Sequence, residues 1–399
     1  MNKQLSKIFF KEDKGKKYFY STGDVVFSSI MGGMSGFSSF RDIVSAKNII
    51  PISPSQFCQR TMKISSENIR DYLFENFIHL KRNMDFRESM LIIDKTFLPL
   101  SKGEKWGKFC KTGEIDSKPV YEWGCEYSFA CIYFPMADKL IILDWEFIPK
   151  GSGEATASKI MMSRLHRIFK QKKVRIRLIV ADRLYFDHFY FKKWTTEISE
   201  GFLTLTKRNS LVRKNGKGFL DQVDFRSKPE FYKGITKYKG KRFKIWEIHS
   251  LYWADNNDHR KYVTENETKN RNLRLIIAYN EEEDFYWYTI TNASFLINAF
   301  EILHSYEKRW QIETFFQIAK CNKTFGTFIK AKKQSTFTIR MILKLIGICL
   351  FFLYMRFRRD SLNHNKGFNI GYFIKKYFDE FKYGLKIYTN SIRRFKWIE

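Results

Sequence analysis

The spacing of apolar residues divides the chain into helical, strand-like and again helical segments. Near the start, "SSENIRDYLFENFIHLK" sets Ile69, Leu73, Phe77 and Leu80 at helical intervals behind a capping serine, Ser65 or Ser66. With the small-residue turn "MGGMSGFSSF" before it, this predicts a short helical unit over residues 1–86. From Met90 the pattern shortens to strands: "MLIIDKTFLPL", "VYEWGCEYSFACIYF" and "KLIILDWEFI" are rich in aromatic and β-branched residues. An amphipathic helix follows in "GEATASKIMMSRLHRIFKQKK", with Ile160, Met161, Leu165, Ile168 and Phe169 on its inner side. Then come a fourth strand, "VRIRLIVADRLYFD", ending at Asp182, and a fifth, "GFLTLTKR". Three strands, a helix and two further strands predict an α/β fold.

Residues 207–292 break that order. The alternation and the "YKGK" turn predict a β-rich insertion of small antiparallel strands, and residues 207–246 alone hold 13 Lys and Arg against 3 Asp and Glu. Helices resume with "SFLINAFEILHSYEKRWQIETFFQIAK" and "TIRMILKLIGICLFFLYMRF" over 293–357, and a basic segment closes the chain at 358–399. The most apolar run, Leu345 to Met355, falls short of the roughly 20 residues a membrane span needs, so it predicts a buried core helix. The amino-terminal run has no long apolar stretch of the signal-peptide kind.

Charge changes the picture. Lys and Arg number 71 against 42 Asp and Glu, a net of +29, and self-repulsion on that scale points to a polyanionic partner, most simply DNA. The six cysteines form no CxxC pair and have no histidine at zinc-finger spacing, which fits free thiols in a reducing cytoplasm.

Two acids have one context. Asp94 follows "LII" and Asp182 follows "LIVA", each at the end of an apolar strand run, where residues of open α/β sheets line the ligand crevice. A carboxylate there can bind a metal or simply cap a turn. Asp144 and Asp187 compete with them by pattern alone. In "YEKRWQIETFFQIAK", helical spacing of about 100° per residue brings Tyr306, Arg309, Glu313 and Lys320 within roughly 60° of one another. Ile312, Phe315, Phe316 and Ala319 form a separate apolar face. The bland reading is a solvated face with an Arg309–Glu313 pair, worth a few tenths of a kcal/mol. The sharper one is three carboxylates, Asp94, Asp182 and Glu313, able to hold two divalent cations, with phosphate-binding groups beside them.

At these residues the chain resembles DDE transposases of the insertion sequence 4 family, whose signature is Y-(2)-R-(3)-E-(6)-K. Tyr306, Arg309, Glu313 and Lys320 fit each spacing, and the likeness extends over about 90–355. The resemblance implies an RNase H-like mixed sheet flanked by helices and interrupted by a β-rich insertion, with a catalytic core split over 87–206 and 293–357. It implies Asp94, Asp182 and Glu313 as catalytic metal ligands for Mg2+, with Mn2+ as a substitute, and Tyr306, Arg309 and Lys320 as DNA-positioning groups. It further implies a DNA-binding amino-terminal domain, cleavage at the terminal inverted repeats, strand transfer into target DNA, a homodimer in the synaptic complex, and a cytoplasmic, DNA-associated protein. Lys95, directly after Asp94, departs from the small or polar residue more common there. Trp246 and Trp253 could hold a hairpin or a flipped base by stacking, or pack within strands. A metal-dependent nuclease of the same fold and a non-catalytic DNA-binding protein derived from a transposase remain the alternatives.

Overall fold

A computed structural model describes residues 29–30, 53–62, 64–81, 88–100, 105–135, 139–206, 212–214, 217–218, 225–238, 240–253, 273–321, 331 and 333–357. The "MGGMSGFSSF" turn, part of the basic insertion and the 358–399 segment lie outside these residues. The described chain is a mixed sheet with helices on both faces. Its strands are β1 (Met90–Pro99), β2 (Lys108–Ile115), β3 (Lys118–Phe134), β4 (Lys139–Ile148), β5 (Leu178–Ala181), β6 (Phe202–Leu205), β7 (Val212–Lys214), β8 (Lys217–Gly218), β9 (Tyr232–Tyr238), β10 (Lys241–Trp253), β11 (Leu273–Asn280) and β12 (Phe285–Thr291). The helices are α1 (Pro54–Met62), α2 (Ser66–Lys81), α3 (Glu154–Gln171), α4 (Lys193–Ile198), α5 (Ala299–Glu307), α6 (Trp310–Cys321) and α7 (Gln334–Phe357).

The strand order is β2-β3-β1-β5-β6-β12-β11-β10-β7-β8, with β4 also on β3 and β9 also on β10. β1 runs antiparallel to β3 and parallel to β5, and β5 runs parallel to β6. β12 joins β6 antiparallel, so the strands expected between 207 and 292 continue the same sheet. Sequence periodicity missed β2, whose residues are almost all exposed and carry no apolar alternation. The strand expected to end at Asp182 is β5, and it stops one residue earlier at Ala181.

Alternation along the strands sorts the apolar residues into two cores. Met90, Ile92, Leu178 and Val180 pack with α5, α6 and α7 on one face. Leu91, Ile93, Ile179 and Ala181 pack with α3 on the other. In α3 the buried residues include Met161, Met162, Leu165 and Phe169, whereas Ile160, expected on the inner side, is exposed. The side-chain oxygen of Ser65 accepts from the Glu67 amide at 3.1 Å, as the predicted cap requires, and Ile69, Leu73 and Phe77 of α2 are buried. α7 is buried from Phe337 to Cys349, as expected of a core helix, and among the described residues no helix is long and apolar enough to cross a membrane.

Arg274 on β11 is the most fully buried cation, 1% exposed. Its Nε donates to Glu247 of β10 at 2.7 Å, and its other nitrogens donate to the carbonyls of Ser294 at 2.7 Å and Ile297 at 2.8 Å. It therefore ties the sheet to the loop entering α5. That helix is then started by a capping box between Asn298 and Glu301.

Removing Arg274 would strand the buried Glu247 carboxylate. Arg274→Met is expected to cost about 3–5 kcal/mol in a urea titration followed by circular dichroism. Lys344 of α7 gives a second expectation. Burial, with Arg340 adding to it, pulls its ammonium down from 10.5 to about 7. Between those values the unfolded chain binds the extra proton, so stability rises with pH through that window and the cost is fully present below it. Lys344→Met should be more stable than wild type at neutral pH, with the gap closing as pH rises toward 10.5.

Candidate active site

The site lies where the parallel pairing of β1 and β5 ends. The last rungs are Ile92↔Val180 and Ile93↔Ala181. Asp94 and Asp182 each follow directly after that last rung; Asp94 reaches Arg309 at 3.3 Å, and the charge of Asp182 is felt by Tyr306 and Arg309. Asp94 was expected at a strand end, but β1 runs on through it to Pro99, held by antiparallel pairing to β3. What ends at Ile93 is only the parallel ladder, so the local sequence showed the break in apolar residues and not the strand's length.

The third acid comes from α6. Residues 306–320 do not form one helix, as the helical count assumed. α5 stops at Glu307 and α6 starts at Trp310. Across the junction the amides of Lys308, Arg309, Gln311 and Ile312 reach back three residues rather than four, to Ser305, Tyr306, Lys308 and Arg309. This tightened turn sets Arg309 at the joint between the helices. Its Nη1 lies 3.3 Å from Asp94 Oδ2 and 2.6 Å from Glu313 Oε1, so one guanidinium bridges acids 219 residues apart. Tyr306 stacks under it, with the guanidinium carbon 5.7 Å from the ring centre. Lys320 lies two turns beyond Glu313 on α6 and is half-buried.

Charge in this site is poorly solvated. Burial pushes the Asp94 carboxyl up to about 7 against the pull of Arg309. Burial also raises Tyr306 to about 12. Desolvation would lower the pKa of Arg309, but Tyr306 and the carboxylates of Asp94, Glu313 and Asp182 outweigh it and raise it. The Tyr306 hydroxyl and Arg309 Nε are both buried and, among the described residues, have no hydrogen-bond partner. Two enclosed donors without acceptors are rare and call for an explanation.

Sequence reasoning missed Glu154, the first residue of α3. Its carboxyl is raised by burial and feels Asp182, and Asp94 in turn feels it. Lys95 answers it: Nζ is 3.0 Å from Glu126 and 3.4 Å from Glu154. The lysine that departed from the expected pattern is thus held by two acids on the α3 face, opposite Asp94. No local motif announces Glu126 or Glu154, because both are brought to Lys95 by pairing and helix docking.

The competing acids have other partners. Asp144 is buried on β4, accepts from Arg70 Nε at 2.7 Å and receives Arg164 through Nε at 2.8 Å and Nη2 at 3.0 Å. It joins α2 and α3 to the sheet. Asp187 accepts from the Phe189 amide at 2.8 Å and pairs with Lys159 at 2.7 Å, so it caps the turn at His188–Phe191. Trp246 is buried in β10 against Phe225 and Tyr232, so its ring is committed to packing rather than open to stacking. The Trp253 side chain lies outside the described set.

Asp94, Asp182 and Glu313 are hard oxygen donors of the kind that suit Mg2+. In this arrangement, however, no three acidic, histidine or cysteine side chains among the described residues converge closely enough to hold one ion. The bridging guanidinium of Arg309 holds two of the acids instead.

No family model and no curated protein matches the chain. Among solved structures it is similar to a piggyBac transposase synaptic complex with hairpin DNA, at 11% identity and a TM-score of 0.38, over 90% of this chain and 78% of that one. It is also similar to a Drosophila P element transposase strand transfer complex, at 12% identity and a TM-score of 0.23, over 49% and 40% of the two chains. A third likeness is to a Mos1 transposase paired-end complex, at 10% identity and a TM-score of 0.16, over 47% and 58%. Likenesses this low fix neither the fold nor the activity of this chain.

The two kinds of acid separate in stability. Asp144→Ala is expected to lose about 3–5 kcal/mol in chemical denaturation, since two guanidiniums lose their buried partner. Asp182→Asn, which removes no side-chain hydrogen bond among the described residues, should stay within about 1 kcal/mol of wild type.

Proposed function

We propose that the chain is a DDE transposase of the insertion sequence 4 kind, cutting DNA at the ends of its element and joining those ends to target DNA. One observation carries this reading: Asp94 and Asp182 both stand directly beyond the last rung of the parallel ladder, and Arg309 ties Asp94 to Glu313. Glu313 and Arg309, with Tyr306 and Lys320, match the residue types and spacings of that family's signature, and Asp94 and Asp182 follow the strands where the family carries its two aspartates. The order β4-β3-β1-β5-β6, with β3 antiparallel and β5 and β6 parallel to β1, supports an RNase H-like core. On this reading β7–β12 are the insertion, and residues 1–86 form the terminal-repeat-binding unit.

Asp94, Asp182 and Glu313 would hold Mg2+, or Mn2+ in its place. For Glu313 to contribute, Arg309 has to let go of it. Bound there, divalent cations supply charge stabilisation for both the attacking and the leaving oxygen of phosphodiester cleavage. The protein's own groups do the rest. The enclosed Tyr306 hydroxyl and Arg309 Nε are donors lacking acceptors, and a scissile phosphate oxygen would satisfy them. Lys320 adds positive charge along the same helix. Hydrolysis at the element's ends frees 3′-hydroxyls, which then attack target phosphodiesters while the old ester oxygen leaves. The net charge of +29 suits a protein that must hold terminal repeats and target together, as a homodimer on DNA in the cytoplasm.

A second reading, a DNA-binding protein without catalysis, is favoured by the Arg309 bridge, because it occupies two of the three acids. One experiment separates the two. A labelled duplex carrying the element's terminal repeat is incubated with the protein in Mg2+, in Mn2+ and in EDTA, and the products are resolved on a denaturing gel. Nicking at the repeat boundary is expected only with the divalent ion. Asp182→Asn should slow it at least ~100-fold while binding to the duplex persists, since losing several kcal/mol of charge stabilisation has that effect on rate. Binding without any cut in either metal would support the second reading.

A further inference from the structure

The hairpin of β2 with the first part of β3 is built unlike the rest of the sheet. Residues 111–119 are all exposed, on both strands and both faces. Asp116 and Ser117 close the turn with φ of 48° and 63°, the doubly left-handed backbone of a tight hairpin. Below it the two strands hold each other: Lys111 pairs with Glu114, Thr112 donates to Glu122 at 3.1 Å, and Phe109 meets Trp123 edge-on at 5.2 Å, while Trp123 at the base also packs on the core. A two-stranded ribbon in water is marginal by itself. Yet this one exposes large apolar side chains, with Phe109 and Ile115 each 66% exposed and Tyr121 58%. Register sets Phe109, Tyr121 and Trp123 on one face and Val120 with Ile115 on the other.

Charge decides what covers such an arm. Residues 108–123 carry Lys108, Lys111 and Lys118 against Glu114, Asp116 and Glu122, no net charge in a chain of +29. The arm therefore offers a phosphate backbone no excess positive charge, while its three acids and its aromatic face can meet the basic surface of another copy of this chain without repulsion. Aromatic residues on a projecting ribbon are also the side chains that carry contact energy between proteins. We infer that the β2–β3 arm is a self-association device, which packs its Phe109–Tyr121 face on a second copy of this protein. It agrees with the homodimer proposed above but does not rest on the chemistry of the acids.

Sedimentation velocity on the full chain, free of DNA and of divalent ions, tests it. Wild type should show a concentration-dependent dimer, and Phe109→Ser/Tyr121→Ser should weaken dimerisation by about 100-fold with an unchanged circular dichroism spectrum. Hydrogen exchange on wild type provides a measurement that needs no variant. Amides of 109–122 should become more protected as protein concentration rises, while those of β9 stay constant. A wild-type chain that remains monomeric, a variant that dimerises as well as wild type, or arm amides whose exchange ignores concentration would each overturn the inference. Because no DNA or metal is present, such a failure leaves the cleavage reading untouched.

Discussion

Four parallel rungs between β1 and β5 set everything that the site can do. Side chains alternate along a strand, so a slip of one residue in β1 would turn Asp94 away from Arg309 and the strand's whole apolar set to the opposite face. The apolar residues before the acids prevent that slip. Met90, Ile92, Leu178 and Val180 must meet α5–α7, while Leu91, Ile93, Ile179 and Ala181 must meet α3. The same burial that holds the register also desolvates Asp94, whose carboxyl rises to about 7 as a result. Strand register and the desolvation of Asp94 thus come from one constraint, the packing of apolar side chains on both faces of β1 and β5.

Arg309 is the counterpart from the helical side. A guanidinium at a helix joint can reach a strand acid and a helix acid together, which a side chain in mid-helix would do less readily. Its contacts bring Asp94 and Glu313 together, and its Nε has no hydrogen-bond partner among the described residues. The strong basic excess of the chain is absent here: five acids, Asp94, Asp182, Glu313, Glu154 and Glu126, gather around Arg309 and Lys95. These acids are balanced mainly by one another's cationic partners, Arg309, Lys95 and Lys108, rather than by the chain's general basic excess.

The remaining buried charges perform a different task. Asp144 with Arg70 and Arg164 fastens two helices to one strand, and Arg274 with Glu247 fastens the loop that leads into α5. Each is fully partnered, in contrast to the loosely satisfied donors of the candidate site. That contrast, more than the number of acids, sets the anchoring charges apart from those of the candidate site.

The sequence by itself determined the elements and their approximate order, because apolar periodicity and turn residues act locally. It determined Asp94, Asp182 and Glu313 as candidates through their neighbours "LII", "LIVA" and the tyrosine, arginine and lysine spacing. It left Asp144 and Asp187 as equals of these, since all follow strand or turn patterns. Only the tertiary structure gave Asp144 its anchoring partners, which lie 20 to 74 residues away in the chain, and Asp187 its place in a turn. It also decided that Arg309 sits at a break between helices, that Lys95 is neutralised by Glu126 and Glu154, and that β2 leaves the sheet as an arm. Those outcomes depend on which distant side chains reach one another, and strand register and helix docking, rather than local spacing, set those distances.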